Sequence, residues 1–365
     1  MKLSFVIWPV ITAVLLLRCN SKTTENIEDA ELIWNHYSSI HNHFKTNKDV
    51  WGNYTLDLAF ESMLAYHRHC GKRNFDDTVL MIMDKRNYHP KDTIPYENQP
   101  FCSLSFALFE STGDSSYLNG YVHETREMIN DARYSSEGAI LHQGALLIDY
   151  LQEYSSRLAK TGYITGNEEY FKMAVSQYQL YRNILRNPDD GLYAQGRGWI
   201  QDDSMALSPG AWSRGHGWLM RGMVTTMQFL PDNSDYFKNM KQFLNELASS
   251  LVEVQDEDGM WHQLPGLPFE QSYPETSGTG MIAYYMAIAI MHGWLDDTYR
   301  KPTLNAVNGM KDFIGKDGTL YGTCMGPGPL TSLDNYIRNK ALPDDHHAAQ
   351  AFFYALAAEC ILYSV

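Results

Sequence analysis

This sequence predicts an all-α fold, a closed toroid of about six helical hairpins in a single domain. Three observations carry that expectation. Apolar residues recur at helical spacing through most of the chain, as in Leu56, Ala59, Phe60, Met63 and Leu64, while period-two alternation of β-branched residues is scarce. A stop-and-restart signature repeats: Thr112-Gly113-Asp114-Ser115-Ser116-Tyr117 resembles Thr165-Gly166-Asn167-Glu168-Glu169-Tyr170, with looser versions at 230–236 and 295–299. Gly ends one helix, Asp, Asn or Ser caps the next, and the aromatic anchors its first turn. Finally, the tyrosines fall at 117, 170, 236 and 299, in steps of 53, 66 and 63 residues. Each step holds one hairpin and a long loop, whereas an open superhelix of short repeats has tighter and more regular periods.

The first segment is expected to be a targeting signal. Lys2 supplies a basic start, residues 3–17 are nearly all apolar, and Cys19 follows directly. That run is short for a membrane span and suits a signal peptide. A Cys in this place resembles a lipoprotein signal, with Cys19 as the lipidated residue, although Arg18 replaces the usual small residue and leaves ordinary cleavage open. The boundaries read are 1–19 for the signal and 20–365 for one catalytic-sized domain. Export is expected, to the periplasm or outer membrane of a Gram-negative bacterium.

Elements follow in order. A helix is expected from about 24 to 46, with Ile33, Trp34 and Tyr37 on one face, then helices over 55–70 and 75–85. In a toroid, the long loops between hairpins converge on one rim. The loops at 51–54, 95–99, 136–142, 191–199, 209–218, 259–279 and 321–335 hold the unusual residues. The mature cysteines, Cys70, Cys102, Cys324 and Cys360, show no CxxC or metal spacing and read by default as scattered buried thiols, with a disulfide left open but without a spacing signal for it. A net charge of -14 argues against nucleic acid, which binds through Lys and Arg on phosphate. The 24 Tyr and 8 Trp suit sugar handling, a composition that many helical proteins share.

The densest stretch is Trp212-Ser213-Arg214-Gly215-His216-Gly217-Trp218. An Arg between two indoles suits an anionic ring: the guanidinium fork grips a carboxylate, and the aromatics cover apolar faces. Asp149 is a lone carboxylate in the apolar run 144–151, where desolvation would raise its pKa as a general acid requires. The competing reading is a helix cap from the first turn. Glu97 precedes a helix in the equivalent place one hairpin earlier, and two such carboxylates suit glycosidic chemistry. His142 lies on the loop before the Asp149 helix. The Gly-rich stretch 191–199 lacks the spacing of a nucleotide loop. Asp344-Asp345-His346-His347 reads as a helix N-terminus rather than a metal site.

These pieces together resemble the unsaturated uronyl hydrolases, glycoside hydrolase family 105 (unsaturated rhamnogalacturonyl hydrolases) and its relative family 88 (unsaturated glucuronyl hydrolases). Trp212–Trp218 is similar to the family's W-[AS]-R-G-[NH]-G-W, and Tyr273-Pro274-Glu275-Thr276-Ser277-Gly278-Thr279 follows in the expected place. The resemblance implies an (α/α)6 barrel, with neither cofactor nor metal. It implies a substrate whose non-reducing end is a 4,5-unsaturated uronate left by a polysaccharide lyase. Asp149 would protonate C4 and activate the water attacking C5, with Glu97 as the second carboxylate. Arg214 would hold the uronate carboxylate. Trp212, Trp218, Tyr54, His142, Gln195 and His216 would line the pocket, His216 where the family also accepts Asn. Glu97 departs from the family's Asp and Gln195 from a common His. Two alternatives stand beside this reading: a glycosidase on saturated uronides, and a non-catalytic, lipid-anchored sugar-binding protein.

Overall fold

A computed structural model of the chain describes residues 21–40, 54–71, 75–85, 104–199, 203–344 and 346–364. Helices alternate between two concentric layers. The outer layer holds α1 (Ser21–Ile40), α3 (Phe75–Lys85), α5 (Ser116–Asp131), α7 (Glu168–Leu185), α9 (Asp235–Glu253) and α11 (Arg300–Lys311). The inner layer holds α2 (Tyr54–Cys70), α4 (Leu104–Thr112), α6 (Ile148–Thr165), α8 (Ser213–Met227), α10 (Thr276–Met291) and α13 (His346–Ser364). A short α12 (Leu333–Ile337) lies in the last long loop. Inner helices pack side by side in the succession α4, α2, α13, α10, α8, α6, and outer helices cover the seams between them. The expected toroid of hairpins is the architecture observed. The helix expected from 24 is α1, which starts at Ser21 and is described to Ile40.

Burial separates the layers. Every residue of α8 is buried, as is every residue of α10 from Thr276 to Ile290. A helix can be enclosed on all sides only inside a ring of neighbours. On α9, by contrast, Met240, Phe243, Leu244, Leu247 and Leu251 form one buried stripe. The repeated signature does what its residues suggest. Gly166 turns left-handed at φ 69° to end α6, and Asn167 accepts from the Glu169 N–H at 3.1 Å to start α7. Ser234 does the same for the Phe237 N–H at 3.1 Å. Tyr117, Tyr170, Tyr236 and Tyr299 all pack against the core.

The seam of the toroid corrects one expectation. Cys70 at the end of α2 and Cys360 near the end of α13 form a disulfide across 290 residues, with Cα atoms 5.5 Å apart. They are not scattered thiols. Their spacing in sequence carries no pairing signal because ring closure alone brings the two ends together. Cys324 is a buried free thiol, and Cys102 lies outside the described residues.

The N-termini of α6, α8 and α10 meet at one end, through glycine. A Cβ on Gly278 would stand 2.6 Å from the Ser213 carbonyl carbon and 2.8 Å from the Arg214 nitrogen. One on Gly215 would stand 3.2 Å from Ile148 Cγ2. The same end carries three two-stranded ladders: β1 (Arg133–Tyr134) with β2 (Ile140–Leu141), β3 (Leu146–Leu147) with β4 (Gly196–Arg197), and β5 (Thr323–Cys324) with β6 (Ala341–Leu342). His346 opens α13, in agreement with a helix N-terminus at 344–347.

Candidate active site

Asp149 is delivered by a strand that becomes a helix. After β3 pairs with β4, the Ile148 N–H donates to the Gln195 carbonyl at 2.9 Å, and Leu147 enters α6 in extended conformation with no side-chain cap. Gly196 permits this approach, since a Cβ there would lie 2.5 Å from the Leu146 carbonyl oxygen. The Trp199 indole N–H donates to that same oxygen at 2.7 Å. Asp149 therefore sits in the first turn of α6, and its Oδ2 is buried with no hydrogen-bond partner. Burial pushes the carboxyl up to about 7. Its own backbone N–H, the charge of Arg214 and a side-chain hydrogen bond from Trp218 act in the opposite direction and are outweighed.

Arg214 occupies the matching first turn of α8 and is 2 % exposed. Its Nη1 donates to Ser277 Oγ at 3.0 Å and to the Cys324 carbonyl at 3.1 Å. The guanidinium lies over the Trp212 ring, 4.9 Å from the centroid. Behind Ser277 stands Glu275, fully buried at the N-cap of α10. Its carboxylate accepts from Ser277 Oγ, from the N–H groups of Ser277 (2.9 Å) and Gly278 (2.7 Å), and from the Cys324 N–H (3.0 Å). Glu275 thus caps a helix and orients the serine and the Cys324 strand that hold Arg214.

The segment after Cys324 roofs this end. A Cβ on Gly326 would come within 2.9 Å of Arg214 Nη2. Gln195 ties the roof down: its Nε2 donates to the Pro327 carbonyl at 2.8 Å, and its Oε1 accepts from the Tyr336 hydroxyl at 2.6 Å.

Several expected ligand contacts turn out to be occupied within the protein. His216 is fully buried; its Nε2 accepts from the Tyr193 N–H at 3.0 Å, so Nδ1 donates to the Trp212 carbonyl at 2.7 Å. Burial lowers its pKa to about 4, so the ring is neutral and fastens two loops. The expectation that it lines the pocket is corrected. Trp212 stacks on Arg214 and donates to Cys324 Sγ at 3.2 Å instead of presenting a face to a sugar. Gln195 is a loop tie. Trp218 is buried, edge-on to His347 at 6.0 Å, and acts on Asp149. His142 is half-buried against Tyr150, with centroids 4.9 Å apart, and burial lowers its pKa. Tyr54 is the first residue of α2, though its side chain lies outside the described residues, as do Glu97 and Cys19 entirely.

Glu275, Ser277 and Cys324 had no assigned role in the sequence. A Glu just ahead of Thr-Ser-Gly carries a capping signal, but nothing local points from it to Arg214, 61 residues earlier.

The helical toroid is the fold of solved glycoside hydrolases, and here it carries a raised carboxyl and a buried arginine at one end. The chain belongs to Glycosyl Hydrolase Family 88, which matches residues 26–362. It is 24% identical over 238 residues to the unsaturated rhamnogalacturonyl hydrolase YesR of Bacillus subtilis, covering 63% of this chain and 66% of that protein. It is 27% identical over 131 residues to an unsaturated 3S-rhamnoglycuronyl hydrolase of Formosa agariphila, covering 34% and 35%. The matches thus span just under two thirds, and about one third, of these relatives' lengths. A family 105 glycoside hydrolase from C. acetobutylicum superposes with a TM-score of 0.77 at 20% identity, covering 92% of this chain and 99% of that one. The unsaturated glucuronyl hydrolase of Bacillus sp. GL1 gives 0.65 at 15%, covering 94% and 96%. The toroid and the relation to both families agree with the sequence reading.

Proposed function

We propose that this protein removes a 4,5-unsaturated uronate from the non-reducing end of lyase-generated oligosaccharides by adding water across C4–C5. The observation that carries this reading is the Asp149 carboxyl, pushed up to about 7 by burial next to Arg214. A carboxyl poised near neutrality can give a proton and then take one back. Asp149 protonates C4 of the enol ether, and positive charge develops at C5. As carboxylate it then takes a proton from the water that attacks C5. The hemiketal so formed opens and releases the next sugar; Asp149 already holds the proton taken from the water, so the balance is one water consumed. Arg214 holds the uronate carboxylate, oriented by Ser277, Cys324 and Trp212. His142 lines the approach to Asp149, and Glu97 supplies the second carboxylate.

We also place the protein outside the cytoplasm. The basic and apolar start ending in Cys19 supports export with a lipid anchor, and the Cys70–Cys360 disulfide suits an oxidising compartment. The test of function compares lyase-generated oligosaccharides with their saturated counterparts. Loss of the ultraviolet absorbance of the unsaturated uronate, with release of the next sugar, is expected for the first set alone. Turnover of the saturated set, or of neither, overturns the reading.

A further inference from the structure

We infer that the Tyr273 hydroxyl is a second substrate contact of this site, donating a hydrogen bond to the uronate carboxylate beside Arg214. This rests on the proposed uronate substrate. Tyr273 is fixed from both sides by backbone: its carbonyl accepts from the Gln263 N–H at 2.8 Å, and Pro274 bridges to His262. Two residues on, Glu275 begins α10. The ring is half-buried, and its hydroxyl is buried with no hydrogen-bond partner.

Its surroundings say which end of the site it serves. The groups acting on its charge are Cys324, Glu275 and Arg214, and Asp149 is not among them. Desolvation, the largest influence, pushes the phenol far above its ordinary range, so the O–H stays a donor. Glu275 is not its acceptor: the hydroxyl has no partner, and the carboxylate accepts instead from Ser277, Gly278 and Cys324. Two other tyrosines that sense Asp149 are engaged: Tyr181 donates to the Ile140 carbonyl at 2.8 Å, and Tyr336 to Gln195 at 2.6 Å. A buried donor without an acceptor is rare in native proteins and marks a place where something else supplies one. A carboxylate has about four lone-pair sites, so one guanidinium leaves acceptor capacity for a neutral O–H. Arg214 together with Tyr273 therefore reads a carboxylate, with one charged and one neutral donor.

The test uses the full chain with Asp149→Asn, so that ligand binds without turnover, and the same chain with Tyr273→Phe added. The ligands are a lyase-generated disaccharide and its uronate methyl ester, measured by calorimetry. The acid is expected to bind roughly tenfold more weakly to the double variant, while the ester, whose uncharged carbonyl is the weaker acceptor, loses clearly less. Equal loss for acid and ester indicates a packing role and overturns the inference, as does no loss for the acid. Melting temperature is expected to be unchanged or higher, since the removed oxygen has no partner. Wild-type protein that binds the disaccharide without turning it over removes the hydrolase reading and leaves this comparison intact. Absence of binding overturns both.

Discussion

Asp149 and Arg214 stand at the first turns of adjacent inner helices, and the guanidinium charge acts on the carboxyl without cancelling the cost of its burial. A nearby arginine charge usually favours the ionised form of a carboxyl. Here Arg214 is also bound to Ser277 and Cys324 and stacked on Trp212, while Asp149 Oδ2 has no partner. The carboxyl is left near neutrality, able to donate, and under the proposed function the cation meets the substrate's carboxylate.

Asp149→Asn removes the proton donor and keeps the shape. Turnover is expected to fall by at least about 10²–10⁴-fold. Calorimetry with a lyase-generated disaccharide should show binding retained. Full activity in this variant would remove Asp149 from the chemistry.

The pH dependence follows from the same group. Protonation of C4 needs the acid form, so kcat/KM is expected to fall as pH rises through about 7. The stability effect has a definite sign. The folded carboxyl keeps its proton to higher pH than the unfolded one, so stability declines from the ordinary carboxylate range up to about 7, then levels. Asp149→Asn should abolish that decline. Melting curves for both proteins across this window check it, and parallel curves would contradict the raised pKa.

Glu275→Gln keeps the size but places an N–H₂ among N–H donors. With at least one acceptor position lost, a destabilisation of about 2–3 kcal/mol is expected. KM for the unsaturated substrate should rise, because Ser277 and Cys324 no longer hold Arg214 in place. Glu275→Asp should recover part of the KM effect. Unfolding titrations and steady-state kinetics separate the two effects.

Cys70→Ser opens the seam between α2 and α13. Losing a crosslink across 290 residues is expected to cost about 2–5 kcal/mol. Activity at room temperature should persist, since the disulfide lies at the far ends of helices from Asp149 and Arg214. Melting temperature with and without reductant checks this. In denaturant without reductant, Cys70 and Cys360 should resist alkylation, and their labelling would show that the bond is absent.

Local features of the chain were the legible ones. Helical periodicity reports burial of one face, and it yielded α2 and α3 nearly to the residue. The Gly-Asn and Pro-Asp-Asn-Ser turns act through neighbours two or three positions away, so the repeat was readable too. Asp149 was recognisable because a charge in an apolar run is anomalous wherever the run folds. Arg214 stood out because its motif is contiguous.

The contents of that motif were only half legible. From Trp212 to Trp218 the residue types suggest a ligand, but not which side chains face inward. His216 and Trp212 are taken up by Tyr193 and Cys324, partners whose approach depends on how the loops pack. Gln195 is tied by Tyr336, 141 residues later.

The sequence by itself determined that the chain is a ring of helical hairpins with one desolvated carboxylate and one arginine between indoles. Periodicity, capping and hydrophobic context are properties of neighbours along the chain. Only the tertiary structure decided that Cys70 meets Cys360, that Glu275 stands behind Arg214 and that the Tyr273 hydroxyl is left unpaired. Closing the toroid joins residues tens to hundreds of positions apart, and no local interaction specifies which of them will touch.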